Sequence, residues 1–521
     1  MKRTVVLAIL DGWGIGRKDN SNPIYVANPK NIEYVKMNFP SGALQASGIA
    51  VGLPWGEEGN SEVGHLTLGA GKIIYQHFPR ITLAIRDGSF FKNPAFLGAT
   101  EHVKKNGSTL HLAGLLTAGN VHASLDHLAA LVKLAAENGI KNLYFHFFTD
   151  GKDSPPKSAS ELLKKVGDIS ARHGGLGKIA SLAGRYYALD RDEHWDRTAR
   201  AYKAITGEAA AAESPQSAVE AAYQRNLSDE FVEPAVIETA GAIKDGDALI
   251  FCDFREDSIR QIAEAFIDQG FARFPVKKFA NLYIATMTRY REKFAVPVAF
   301  PPETVGNPLG KVLSDAGKSQ LRIAETEKYA HVTYFFNGFK DQPLNNEFRV
   351  LIPSKNVPRY DDYPEMMAKE ITDRAIQSVE EGAFDFILIN YANADIIAHT
   401  GNYDAALKAI AAVDEQIGRL LKAVFAQNAV LIITADHGNA ERMIDPMTAM
   451  IETKHDVSPV PVYIVAKELA RPRDKFDAEQ AEKMTAGILS DIAPTVLDFL
   501  GVPKPPAMTG ESLRRSLTSD I

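Results

Sequence analysis

Three short, uninterrupted apolar runs constrain this chain more than any other feature, because each leads straight into side chains able to hold a metal. Residues 4–10 (TVVLAIL) stop at Asp11-Gly12. Residues 385–390 (DFILIN) lead to Asn393-Ala394-Asp395 and His399, and residues 429–434 (AVLIIT) to Asp436-His437. Continuous rather than alternating apolarity is the pattern of a parallel strand covered on both faces. Ligands in open α/β sheets bind beyond the carboxyl ends of the strands. If the three runs share one sheet, their polar ends converge.

Between about 80 and 300 the pattern is strand, then helix, repeated. It predicts strands at 109–115, 142–148, 178–182, 248–253 and 281–285, and helices over 123–137, 158–172, 194–206, 215–225 and 257–269. Ahead of this, 31–39 reads as a helix and the glycine-rich stretch 42–64 as mostly loop. A proline-rich segment at 297–308 reads as a domain crossing. Beyond it, 404–426, 476–489 and 491–500 read as helices and 460–465 as a strand. The expected fold class is α/β, with two domains, each a mainly parallel sheet flanked by helices. Residues 1–77 and 308–521 would form one domain and 78–307 an insertion, with hinges near 76–79 and 301–308.

At 521 residues the chain exceeds what one core holds. Its net charge of -7 comes with no basic block, so no nucleic-acid partner is expected, and no apolar run is long enough to span a membrane. Lys2-Arg3 before the first apolar run imitates a short leader, but no small-residue cleavage site follows, and a buried first strand is the better reading. The single cysteine, Cys252, excludes an internal disulfide and fits a reducing, cytoplasmic setting.

Ser61 follows Gly59-Asn60 and precedes an amphipathic run (Val63, Leu66, Leu68), so it stands at or near a helix N-terminus that favours anions. A lone serine there is usually a cap, and a lone histidine usually a core or surface residue. The joint pattern of Asp11, Ser61, Asp395, His399, Asp436, His437 and His455 argues otherwise. Asp395 and His399 are spaced i, i+4 and share one side if helical. Carboxylates and imidazoles without thiolates suit Mn²⁺, Zn²⁺, Co²⁺ or Fe²⁺ at an open site. A dimetal centre beside Ser61 makes phosphoryl transfer to that hydroxyl a reasonable chemistry.

Residues 59–65 (GNSEVGH), 395–401 (DIIAHTG), 436–441 (DHGNAE) and 453–455 (TKH) resemble the motifs of cofactor-independent (2,3-bisphosphoglycerate-independent) phosphoglycerate mutases, of the alkaline phosphatase superfamily. The likeness extends through 323–329, 331–333 and 489–495 and covers nearly the whole chain. It implies interconversion of 3-phosphoglycerate and 2-phosphoglycerate, a step of glycolysis and gluconeogenesis, through a phosphoserine at Ser61. It implies two divalent ions, Mn²⁺ first, with Mg²⁺, Co²⁺ or Zn²⁺ as alternatives. Asp395, His399 and His455 would hold one ion; Asp11, Ser61, Asp436 and His437 would hold the other. Lys328 would help hold the phosphate on Ser61. His122, Lys152, Asp153, Arg185, Arg191 and Arg255 of the insertion would bind the glycerate, with Asp153 as general acid and base. A monomer acting on a small molecule is implied.

Three positions depart from the family pattern: Lys152 and Ser258 stand where arginine is usual, and Ala398 where glycine is. Lysine keeps the charge without the bidentate fork, and serine loses the charge. Arg260 is the nearest alternative cation. These changes keep a second reading in view, a metal-dependent phosphatase or a mutase for another phosphate ester. A catalytically inactive binding protein is the non-enzymatic alternative.

Overall fold

The computed structural model describes residues 3–518. Val5–Leu10 is entirely buried within an eight-stranded sheet. Across that sheet the strands are Glu347–Ile352, Gln320–Glu325, Phe386–Tyr391, Val5–Leu10, Val430–Thr434, Val460–Val465, Ser41–Gln45 and Thr485–Ile488. The three apolar runs are therefore adjacent and parallel, with Leu10 beside Tyr391 and Ile9 beside Thr434. Their carboxyl ends leave the sheet at one edge. Val460–Val465 runs antiparallel to both neighbours. Its start, preceded by His455, therefore lies at that same edge. The 24-residue helix Tyr403–Ala426 buries Ala409, Ile410, Val413, Ile417 and Leu420 and packs on Ala368–Glu381.

The chain divides into two compact units, Met1–Gln76 with Glu303–Ile521, and His77–Pro302. The second unit has its own seven-stranded sheet, in the order Ala235–Val236, Lys178–Gly184, Leu143–Thr149, Leu110–Leu116, Ala248–Phe251, Tyr283–Thr288 and Val298–Phe300. All its pairings are parallel except that of Ala235–Val236. Along Leu110–Leu116, Leu110, Leu112 and Leu116 join one apolar cluster, while Ala113 and Leu115 join another. Side chains alternate between the faces of a strand, so both faces are covered. The fold is thus α/β with two mainly parallel, helix-flanked sheets.

The helices expected at 31–39, 123–137, 158–172, 194–206, 215–225, 257–269, 404–426 and 491–500 are present with ends shifted by at most two residues. The helix expected over 476–489 is not. It spans only Lys475–Lys483, and Thr485–Ile488 is an edge strand parallel to Ser41–Gln45. That partner lies in a stretch expected to be mostly loop. Both strands are short and lack an apolar run, so only their pairing identifies them. Lys2 lies outside the described residues. No described helix is long and apolar enough to cross a membrane.

Candidate active site

The helix Ser61–Ala70 is capped by Asn60, whose side chain accepts from the Val63 N–H at 3.0 Å. Capping thus falls to Asn60 and leaves the Ser61 hydroxyl available. Its Oγ lies 3.0 Å from Asp11 Oδ1, 2.9 Å from His437 Nε2 and 2.7 Å from Lys328 Nζ. The helix reaches this position because residue 64 is glycine: a Cβ there would sit 2.5 Å from the Asp436 carbonyl oxygen. The conformation of residues 436–437 is set locally. Asp436 Oδ1 accepts from the Gly12 and His437 N–H groups at 3.2 and 3.1 Å.

Asp395 and His399 lie on one helical turn, Asn393–His399. His399 Nδ1 lies 2.8 Å from the Thr453 carbonyl, and His455 Nδ1 lies 2.8 Å from the Gly59 carbonyl. Carbonyls only accept, so both Nδ1 atoms carry the proton. The two Nε2 atoms then point lone pairs at the same space, 3.0 Å apart and 3.3–3.4 Å from Asp395 Oδ1. Two imidazole nitrogens and a carboxylate oxygen so close need a shared proton, which Asp395 favours on His399, or a metal ion between them. Imidazoles oriented by backbone carbonyls are typical of metal ligands. Asp11, Asp395 and His437 form a second group able to hold an ion, as do Asp11, His65 and Asp436. Asp436 Oδ2 is buried and accepts no hydrogen bond, although His65 Nδ1 lies 3.1 Å away. The donors present therefore fit two divalent ions.

Burial opposes charge throughout this region, and mutual attraction overcomes it. Lys328 is buried, yet its ammonium lies 2.6 Å from Asp11 Oδ1 and 2.7 Å from Asp395 Oδ2, which hold its pKa far above the usual lysine value. Burial works against a proton on His437, but Asp436, Asp11 and Asp395 raise its pKa to about 10. Asp395 and Asp436 are held well below the ordinary carboxylate range, against their burial, Asp395 chiefly by Lys328 and Asp436 chiefly by His437. A field that holds a lysine and a protonated imidazole so firmly is one that attracts divalent cations.

In the second unit, His122, Asp153 and Arg185 form one cluster. His122 Nδ1 is 2.5 Å from Asp153 Oδ2, and Arg185 donates to Asp153 at 3.0 Å and to Asp150 at 2.6 Å. Burial raises the Asp153 pKa, but His122 and Arg185 bring it below the usual value. Arg191 and Arg255 meet at Asp257, 2.9 and 3.1 Å away. Lys152 extends to Glu230 at 2.7 Å and is mostly exposed. Ser258 is buried with an unpartnered hydroxyl, and Arg260 donates to the Tyr290 carbonyl at 3.0 Å.

Two amides at the first unit's site carry no assignment from sequence. Asn390 is next to last in the strand Phe386–Tyr391 and donates to Asp11 Oδ2 at 2.7 Å. Asn439 donates to Asp395 Oδ1 at 2.8 Å. Their signal in the sequence was slight: an amide at the end of an apolar strand, and an amide two residues after His437.

Residues 81–292 match the family model described as BPG-independent PGAM N-terminus, and residues 303–482 match that of type I phosphodiesterase / nucleotide pyrophosphatase. The chain is 46% identical to 2,3-bisphosphoglycerate-independent phosphoglycerate mutase 1 of Methanosarcina acetivorans, with 98% of each chain covered. It is 46% identical to the like-named protein of Moorella thermoacetica and 44% to that of Pseudomonas putida, again over 98% of each. A crystal structure of Leishmania mexicana phosphoglycerate mutase at low cobalt concentration superposes with a TM-score of 0.51 at 29% identity, covering 98% of this chain and 97% of that one. On full-length identity of this order, joined to a serine set among metal-competent carboxylates and imidazoles, the chain belongs to the 2,3-bisphosphoglycerate-independent phosphoglycerate mutases, a family of isomerases.

Proposed function

We propose that this enzyme interconverts 3-phosphoglycerate and 2-phosphoglycerate by way of a phosphoserine at Ser61. The observation that carries the proposal is the setting of Ser61 Oγ, within 3.0 Å of Asp11, His437 and Lys328 at the first turn of a helix. Two divalent ions, Mn²⁺ for preference, would be held by Asp395, His399 and His455, and by Asp11, Ser61, Asp436 and His437. When bound, they supply a lowered hydroxyl pKa and charge for the phosphoryl oxygens.

The chain's own groups account for the remaining steps. Ser61 Oγ passes its proton to Asp11 Oδ1, 3.0 Å away, and attacks phosphorus; the bond from phosphorus to the glycerate oxygen breaks, the phosphoryl group passes to Ser61, and the proton comes back when it leaves. Lys328, 2.7 Å from that oxygen, neutralises the incoming charge. The helix N-terminus adds N–H groups facing the same charge. In the second unit, Arg185, Arg191, Arg255, Lys152 and His122 bind the glycerate. Asp153 takes the proton from the hydroxyl that will receive phosphate, and its lowered pKa keeps it in the basic form. In the first transfer the departing oxygen takes the proton held between Asp153 and His122, 2.5 Å apart, and the proton later removed from the other hydroxyl replaces it. Transfer back to the other hydroxyl completes the isomerisation. A cytoplasmic monomer is part of the same proposal, and the single buried Cys252 is compatible with a reducing compartment.

The test supplies 3-phosphoglycerate and Mn²⁺ without 2,3-bisphosphoglycerate and follows 2-phosphoglycerate against free phosphate. Isomerisation with little phosphate release is expected, together with a phosphoserine at Ser61 by mass spectrometry. Ser61→Ala should lower turnover by about 10⁴-fold or more. Phosphate release without isomerisation would instead indicate a phosphatase.

A further inference from the structure

We propose that His65 and Asn390 form an uncharged relay that positions Asp11, Asp436 and the first turn of the Ser61 helix for one of the two ions. It rests on the two-ion reading above and adds a role for two residues outside the ligand set. Asn390 Nδ2 lies 2.7 Å from Asp11 Oδ2. That carboxylate oxygen can only accept, which fixes the orientation of the amide. Asn390 Nδ2 also lies 3.0 Å from His65 Nε2, which must therefore accept. The ring proton is then on Nδ1, 2.8 Å from the Ser61 carbonyl and 3.1 Å from Asp436 Oδ2.

The relay thus runs by hydrogen bonds from Asp11 through Asn390 and His65 to the Ser61 carbonyl, with the positive edge of the His65 Nδ1–H facing Asp436 Oδ2. His65, Asn390, Asp11 and Asp436 are all fully buried, so no water competes for these bonds. One oxygen of Asp11 is occupied, and the other is left facing Ser61 and Lys328. His65 sits four residues after Ser61 on the same helix; its Nδ1–H is given to the Ser61 carbonyl and the same nitrogen faces Asp436 Oδ2 at 3.1 Å, which sets the turn carrying the hydroxyl beside Asp436. Two strand ends and one helix start are joined through a single imidazole and a single amide, with the Asp436 carboxylate alongside. Partners of this kind set ligand orientation, and their loss typically costs metal affinity.

The experiment titrates Mn²⁺ into metal-free protein by calorimetry, with thermal melts of the same samples. Wild type should bind two ions. His65→Leu and Asn390→Leu should each weaken one binding step by about 10- to 100-fold and leave the other within about threefold. His65→Asn should recover most of the loss, because its amide presents N–H groups where Nδ1 lies, toward both the Ser61 carbonyl and Asp436. The relay is overturned if both leucine variants bind like wild type, if both steps weaken together in proportion to a lost melting temperature, or if His65→Asn recovers nothing. A wild type that binds fewer than two ions would refute the two-ion reading itself, a result distinct from failure of the relay.

Discussion

The Nε2 atoms of His399 and His455 face each other at 3.0 Å, with each ring's Nδ1 committed to a main-chain carbonyl. Without a metal a proton bridges the pair, favoured on His399 by Asp395; a divalent ion in its place would be chelated by both rings. His455→Ala should therefore abolish one of two Mn²⁺ binding steps and lower mutase activity by at least about 100-fold. The metal-free variant should melt slightly below metal-free wild type, having lost the His455 bond to the Gly59 carbonyl. Saturating Mn²⁺, at about 100 times its dissociation constant, should stabilise wild type by about 2.7 kcal/mol per site and the variant by less. Calorimetry and melts with and without chelator give both quantities.

Lys328 stands between Asp11 and Asp395 as the buried cation of the site. Lys328→Met leaves those carboxylates uncompensated. The metal-free variant should lose about 3–5 kcal/mol of stability. Saturating Mn²⁺ should recover much of that loss by supplying charge in the same place. Turnover should still fall by about 10²- to 10³-fold, because the ammonium facing Ser61 is absent. Urea melts at two Mn²⁺ concentrations, paired with turnover, separate the two effects.

Asp253 is fully buried in the second unit, with Oδ1 accepting from the Leu115 N–H and Oδ2 unpartnered. Burial raises its pKa to about 7, against the opposing pull of the Leu115 N–H and Arg185, while Asp153 and Asp150 add to the rise. The folded state keeps this proton to higher pH than the unfolded chain. Its stabilising contribution is complete below about pH 4 and is lost as pH climbs through 7. Asp253→Asn stays neutral, so its stability relative to wild type should rise by about 3 kcal/mol between pH 5 and pH 8. Urea melts at the two pH values test this, and a constant difference would refute it.

The two positions that lack family arginines are physically unlike. Lys152 is exposed and paired with Glu230. Lys152→Arg should fit and lower KM for phosphoglycerate by about 2- to 5-fold with kcat little changed. Ser258 is only 3% exposed on the helix Glu256–Ile267. Ser258→Arg should cost about 1–3 kcal/mol of stability through overpacking, without a gain in kcat/KM. Steady-state kinetics and melts decide, and improved catalysis by Ser258→Arg would contradict the packing.

Sequence by itself determined the buried apolar strands, most helices, the start of the Ser61 helix and the chemistry of the seven metal-competent residues. These are local properties, expressed in apolar runs, helical periodicity and capping residues. Tertiary structure decided what depends on partners distant along the chain. Gln320–Glu325 is a buried strand although it contains Arg322, whose guanidinium stacks on Phe336 and Phe386 at 4.8 and 5.1 Å. Thr485–Ile488 becomes a strand only by pairing with Ser41–Gln45. His455 reaches the site because the strand after it runs antiparallel. Asn390 and His65 acquire their contacts with Asp11 and Asp436 only when parallel register brings the ends of Val5–Leu10, Phe386–Tyr391 and Val430–Thr434 together. Register is an energy shared between strands, and no single segment encodes it.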